Sequence, residues 1–272
     1  MKVYDAFLFF NELDLLEIRL NELDSVVDVF VLLECTKTFS FKDKPLYYLE
    51  NKERFEKFAH KIKHVIVDDT PDNLPADPVR GHNRHKIEQW QRAQLDRGVI
   101  DCQPDDVILI SDIDEIPRAE NITKALDMLN RQNFVGFEQR FFYYYLNGLC
   151  VQNGREAPWN GPVAVRKSNY IGAQKMRDDR GIHQPDRIRN AGWHFSYLGG
   201  VEKIIEKLES FAHAEHDNSN IKSHDRLAQK IAAGQDIFDR ANKPTQKYIA
   251  IDSTFPKYIL DNLEKFGHLI KR

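Results

Sequence analysis

The chain has 272 residues, 42% of them hydrophobic and 30% charged, with 39 Lys and Arg against 42 Asp and Glu. That length buries a substantial core without disulfides, and a formal charge of -3 excludes a broad attraction to nucleic acid or anionic lipid. Cys35, Cys102 and Cys150 are far apart and odd in number, so they read as reduced, buried thiols rather than a disulfide framework or a CxxC metal site.

In chain order, Tyr4 to Phe10 is a short apolar run, too short and too soon followed by Glu12 and Asp14 for a secretory signal. Nothing approaches the ~20 apolar residues of a membrane span, and a cytoplasmic protein is expected. Leu13, Leu16, Leu20 and Leu23 place a helix over residues 12–23. The β-branched and aromatic stretch 26–34 predicts a strand covered on both faces. A polar loop over 37–45, a helix over 51–61 and a short strand over 64–68 follow. Residues 69–78, with three prolines and three aspartates, form a loop. A helix is expected over 82–97, then a buried strand from Val107 to Ser111 that ends in acids. This alternation implies an α/β layer with a mostly parallel sheet.

The second half differs. Aromatic residues crowd 134–149 and predict long antiparallel strands. Residues 154–161 and 177–190 read as polar loops. Helical spacing returns over 201–211, through Ile204, Ile205, Leu208 and Phe211, and again over 223–233. No repeat or composition break divides the chain, so one domain over 1–272 is expected.

Ligands of open α/β sheets gather at the carboxyl ends of the strands. There the strand 107–111 releases Asp112-Ile113-Asp114-Glu115. Residues i and i+2 of an extended segment point the same way, so Asp112 and Asp114 can share a task. Two close carboxylates repel unless a cation lies near them, and hard oxygen ligands suit Mg²⁺ or Mn²⁺. A metal there would clamp a diphosphate. The bland reading is a solvated turn or a cap for the helix starting near Ala119. A phosphohydrolase would also use such acids, although Ile116 stands where those enzymes usually carry Thr.

Several segments together resemble glycosyltransferase family 17, the family of the β-1,4-mannosyl-glycoprotein 4-β-N-acetylglucosaminyltransferases. They are residues 4–20 (YDAFLFFNELDLLEIRL), 29–34 (VFVLLE), the Lys44-Pro45-Leu46 loop, 110–117 (ISDIDEIP) and 191–197 (AGWHFSY). The resemblance implies a GT-A-type fold, a mostly parallel Rossmann-like sheet flanked by helices with an antiparallel, aromatic-rich second half. It implies a nucleotide-sugar donor such as UDP-N-acetylglucosamine, a divalent metal (Mn²⁺ or Mg²⁺), a glycan acceptor and inversion at the anomeric carbon. Residues 1–117 would be the nucleotide-sugar half and 118–272 the acceptor-side half. Without a span-length segment before the first strand, a bacterial or viral surface glycan suits the acceptor better than a glycoprotein.

The resemblance also assigns roles. Asp112, Asp114 and His194 would hold the metal, and Asp112 would also approach the donor. Glu34 and Thr36, at a strand end, would meet base and ribose, and Lys44 and Arg92 a phosphate. Arg84, Glu88 and Arg92 otherwise read as an exposed charge ladder worth a few tenths of a kcal/mol per pair. An inverting transfer needs a general base for the acceptor hydroxyl. Glu202 and Asp178 are the candidates, with Asp179 and Glu138 competing. His183, His213 and His216 remain donor-phosphate candidates that more simply read as solvated. Trp193 and the aromatic run 141–145 read as core with a face able to stack on a sugar. A glycan-binding protein without catalysis is the remaining alternative.

Overall fold

The computed structural model describes residues 1–72, 74, 84–179, 187–211, 217–240 and 243–272. The first half lays down β1 (Val3–Phe9), α1 (Leu13–Leu23), β2 (Val29–Cys35), α2 (Tyr47–Glu50), β3 (Ile62–Val67), α3 (Arg84–Ala93), β4 (Val107–Asp112) and β5 (Glu115–Pro117). Then come α4 (Ala119–Met128), β6 (Phe134–Tyr143), β7 (Gly148–Gln152), β8 (Arg155–Glu156), β9 (Pro158–Arg166), α5 (Ala173–Asp179), β10 (Arg187–Ile188) and β11 (Gly192–Ser196). The chain finishes with α6 (Gly200–Ser210), α7 (His224–Ala232), β12 (Thr245–Tyr248) and α8 (Lys257–Asp261).

Among the described residues, the strands form one sheet in the order β12-β7-β6-β9-β4-β1-β2-β3, with β5, β8, β10 and β11 joined beside this path. β3, β2, β1 and β4 are mutually parallel, whereas β9 runs antiparallel to both β4 and β6. This is the expected α/β, GT-A-type arrangement. Alternate residues of the parallel strands feed separate cores. Phe7, Phe30, Leu32 and Leu109 pack on one face, and Ala6, Val31, Leu33, Ile108 and Ile110 on the other. Each fully buried Val, Leu, Ile or Phe among them contributes about 1.5–3 kcal/mol, which explains why these strands read as continuous apolar runs. A third cluster joins Tyr143, Tyr144 and Cys150 to Ile204, Leu208, Leu227 and Ile231, so α6 and α7 pack on the antiparallel half.

Three local expectations need correction. Residues 51–61 are not an α-helix but a 3₁₀ stretch, Lys52–Phe58, interrupted at Phe55 (φ -113°, ψ 15°). Residues 154–161, read as loop, instead open β8 and β9. Pro162 is tolerated there because the β6–β9 register shifts between Gly136 and Glu138, and a bulge is where a strand accepts proline. The polar run beginning at Arg177 starts inside α5.

Candidate active site

β4 carries its apolar residues between β1 and β9 and releases the chain at Asp112. β5 then pairs antiparallel with β11, setting Glu115 opposite His194. The approach depends on Gly192 (φ +154°), where a Cβ would lie 2.2 Å from the Ile116 carbonyl oxygen. The sheet thus brings the histidine of one sequence block to the acidic loop of another.

Arg19 holds that loop from inside. It is fully buried on α1 and forks onto Asp5, donating from Nε at 2.7 Å and Nη2 at 2.6 Å. Its Nη1 donates to the carbonyl oxygens of Asp112 (3.0 Å), Ile113 (3.3 Å) and Glu115 (2.9 Å), and Nη2 also reaches the Ser111 hydroxyl. Glu115 is likewise fully buried. It accepts from Arg177 Nη1 at 2.6 Å and Nη2 at 2.8 Å, from the Trp159 indole at 2.7 Å and from the Asp112 amide at 3.0 Å. It therefore frames the loop and is not available to a ligand.

Asp112 and Asp114 face a cleft of about 1010 Å³, and each has cationic partners. Arg177 donates to Asp112 Oδ2, and Arg92 Nη2 lies 3.4 Å from Oδ1. Burial alone would raise the Asp112 carboxyl, but Arg177 and then Arg92 outweigh it and hold it at about 2. Lys207 Nζ lies 3.4 Å from Asp114 Oδ2, and His194 Nε2 lies 3.4 Å from Oδ1. Burial pushes Asp114 up as well, and Lys207 and His194 bring it below its ordinary value. The repulsion that called for a cation is thus met by protein cations. Arg177 and Lys207 escaped the sequence reading because nothing in local spacing ties them to a loop 65 and 93 residues away.

Among the described residues, no three His, Cys, Asp or Glu side chains converge on one point. Mg²⁺ and Mn²⁺ sites that act on phosphates use one or two carboxylates and complete the shell from substrate oxygens and water. Asp114 with His194, beside Asp112, fits a site of that sparse kind.

The other expected residues fall as follows. Glu34 is fully buried and does not line the cleft. It accepts from the Tyr48 amide at 3.1 Å and faces Lys44 at 3.6 Å and His64 at 3.1 Å, so a ribose role is overturned by its internal pairing. The Thr36 hydroxyl turns to the Val67 carbonyl; its neighbours Cys35, Lys37 and Thr38 reach the cleft instead. Lys44 lines the cleft, where burial lowers its pKa against the opposing pull of Glu34. Arg92 bonds Glu88 at 2.8 Å, as in the charge ladder, but is buried and also reaches Asp112. Arg84 instead ties α3 to Asp217 at 2.8 Å. Asp178 lines the cleft and accepts from Gln174. Glu202 projects from the exposed side of α6 to His224 at 3.0 Å, away from the cleft, and Glu138 does not line it. Trp193 is core, its indole donating to the Thr254 carbonyl. The Asp179 side chain, His183, His213 and His216 lie outside the described residues.

The profile of glycosyltransferase family 17 matches residues 1–271. The chain belongs to glycosyltransferase family 17. The resemblance read from its sequence blocks is borne out. It is 24% identical over 305 residues to the β-1,4-mannosyl-glycoprotein 4-β-N-acetylglucosaminyltransferase of Rattus norvegicus, covering 99% of this chain and 54% of that one. The enzyme of the same name from Homo sapiens is 24% identical over 304 residues, covering 99% and 55%. The chain therefore spans about half the length of the curated relatives it matches. Among solved structures, M. tuberculosis glucosyl-3-phosphoglycerate synthase superposes with a TM-score of 0.38 at 11% identity, over 95% of this chain and 92% of that one.

Proposed function

We propose that this family 17 chain is an inverting, divalent-metal-dependent glycosyltransferase that moves N-acetylglucosamine from UDP-N-acetylglucosamine to a glycan hydroxyl. The observation that carries the reading is one cleft wall at the ends of the parallel strands. There Asp112, Asp114 and His194 meet Arg92, Arg177 and Lys207. The sugar assignment draws on the names of the relatives.

In the transfer, the bond from the anomeric carbon to the diphosphate breaks, a bond to the acceptor oxygen forms, and UDP leaves. A divalent cation, when bound at Asp114 and His194, supplies charge for the departing diphosphate. Arg177 and Lys207, fixed by Glu115 and Asp114, add positive charge that needs no rearrangement as the diphosphate leaves. Asp178 lines the same cleft, and we assign it the acceptor proton. We propose a cytoplasmic setting, with which three buried thiols that form no disulfide with one another are compatible.

The test is consumption of UDP-N-acetylglucosamine with Mn²⁺, in wild type and Asp114→Asn. Loss of turnover in the variant supports the reading. Failure of the wild type to bind or turn over any sugar nucleotide sinks it, and phosphate release from simple esters without nucleotide would favour a phosphohydrolase.

A further inference from the structure

The cleft continues beyond the acidic loop along a run of rings that starts at His194 and leads away from the donor site. His194 stacks on Phe141 with centroids 4.9 Å apart and planes 12° apart. Phe141 meets Tyr143 at 5.4 Å, Tyr143 meets Tyr197 at 5.1 Å, and Tyr197 meets Phe238 at 6.1 Å. The Arg240 guanidinium lies 4.7 Å from the centre of the Phe238 ring. At this end Asp236 accepts from the Arg240 amide at 2.9 Å, from Nε at 3.1 Å and from Nη2 at 2.7 Å. These side chains all line the one cleft.

Asp236 is held in place from both sides. The buried Tyr144 hydroxyl donates to the Gln235 carbonyl at 2.8 Å and accepts from the Ile237 amide at 3.2 Å. One phenol therefore grips the residue before Asp236 and the residue after it. Gly234 (φ +62°) lets the end of α7 close on β12, since a Cβ there would lie 2.6 Å from the Gln246 carbonyl oxygen. Tyr144 and Tyr197 both adopt left-handed backbone (φ 68° and 55°), a costly conformation for bulky residues that concentrates where a ligand is gripped. Neither the fold of the parallel half nor the donor site requires this construction.

Ring faces beside a carboxylate whose charge a guanidinium offsets suit a neutral, polyhydroxylated ring. Its C–H face lies on the aromatic wall, while hydroxyls donate to Asp236 and accept from Arg240. The pair carries no net charge, and a phosphate or uronate would have to displace the Asp236 carboxylate from Arg240 to use the guanidinium. We propose that this arm is the acceptor subsite, that it takes a neutral pyranose, and that the Asp236–Arg240 pair grips the hydroxyls of that sugar. Calling the occupant the acceptor rests on the transferase reading; the binding of a neutral sugar does not. Lys243, exposed on the rim, is the feature that an acidic sugar would exploit instead.

The full chain, with UDP and Mn²⁺ present, is titrated with methyl glycosides of mannose, glucose, galactose and N-acetylglucosamine and with methyl glucuronide, read by saturation-transfer NMR. A neutral glycoside is expected to bind. Asp236→Asn and Phe238→Leu are each expected to weaken it about tenfold, with UDP affinity by calorimetry unchanged. Arg240→Gln, at a more exposed side chain, repeats the measurement if either variant melts early. The proposal is overturned if no neutral glycoside binds, if methyl glucuronide binds more tightly than all of them, or if variants that melt like wild type bind equally well. Glycoside binding without UDP binding would leave the subsite standing and remove the donor reading.

Discussion

At the loop end of the cleft, Asp5, Arg19, Glu115 and Arg177 are buried and interlocked, and Asp112 and Asp114 extend that lattice into the opening. At the far end, charge shrinks to the Asp236–Arg240 pair with Lys243 on the rim, and rings line the wall. The first arrangement fixes electrostatic potential, which suits a diphosphate that changes charge on leaving. The second fixes shape and a few hydroxyl contacts, which suits a sugar. On the proposed reading, one cleft divides two jobs between two kinds of surface.

Substitutions separate the two ends. The largest effect is expected from Arg19→Ala, which strands the Asp5 carboxylate and frees three loop carbonyls. Denaturant unfolding should show a loss of about 3–5 kcal/mol, and a wild-type midpoint would refute the scaffold role. Asp114→Ala should lower turnover of UDP-N-acetylglucosamine roughly 10²-fold or more while leaving neutral-glycoside binding in place. Loss of both in a folded variant would show that the ends are not independent.

Arg177→Gln tests the charge lattice through pH. Folded Asp112 sits at about 2 against an ordinary 3.8, so its contribution is present above about pH 4 and is lost as pH falls through about 2. After solvent screening it is worth roughly 1–2 kcal/mol. The variant should lose stability less steeply than wild type across that acid window, as read by thermal melts at stepped pH. An unchanged slope would place the cause elsewhere. The smallest effect belongs to Glu202→Gln, where an exposed ion pair is removed and turnover should stay within about twofold. A collapse of turnover would return Glu202 to the chemistry.

What the sequence made legible were features with local signatures. The parallel strands announced themselves as apolar runs because both faces are covered, and the acidic loop because four apolar residues lead straight into it. β9 was hidden by Pro158 and Gly161, which read as loop, and by Pro162 beside them, until the register shift opposite Phe137 shows where proline fits. Arg177, Lys207 and Arg19 were illegible for a different reason. A guanidinium or ammonium meets its carboxylate across the fold, and no spacing rule encodes that encounter. Glu34 illustrates the converse: it ends a strand where a ligand contact is expected, yet the approach of Tyr48, Lys44 and His64 uses it up.

Under the proposed metal-dependent transfer, Arg19 has a consequence for ion choice. By drawing the carbonyl oxygens of Asp112, Ile113 and Glu115 inward, it removes the backbone ligands that a large cation such as Ca²⁺ recruits to fill six to eight positions. What remains toward the cleft is a sparse set of side chains. Such a set favours a small ion that keeps its waters and takes the rest of its shell from the substrate. If the cleft takes a divalent ion as proposed, α1 would share in choosing it, through a residue turned away from the cleft.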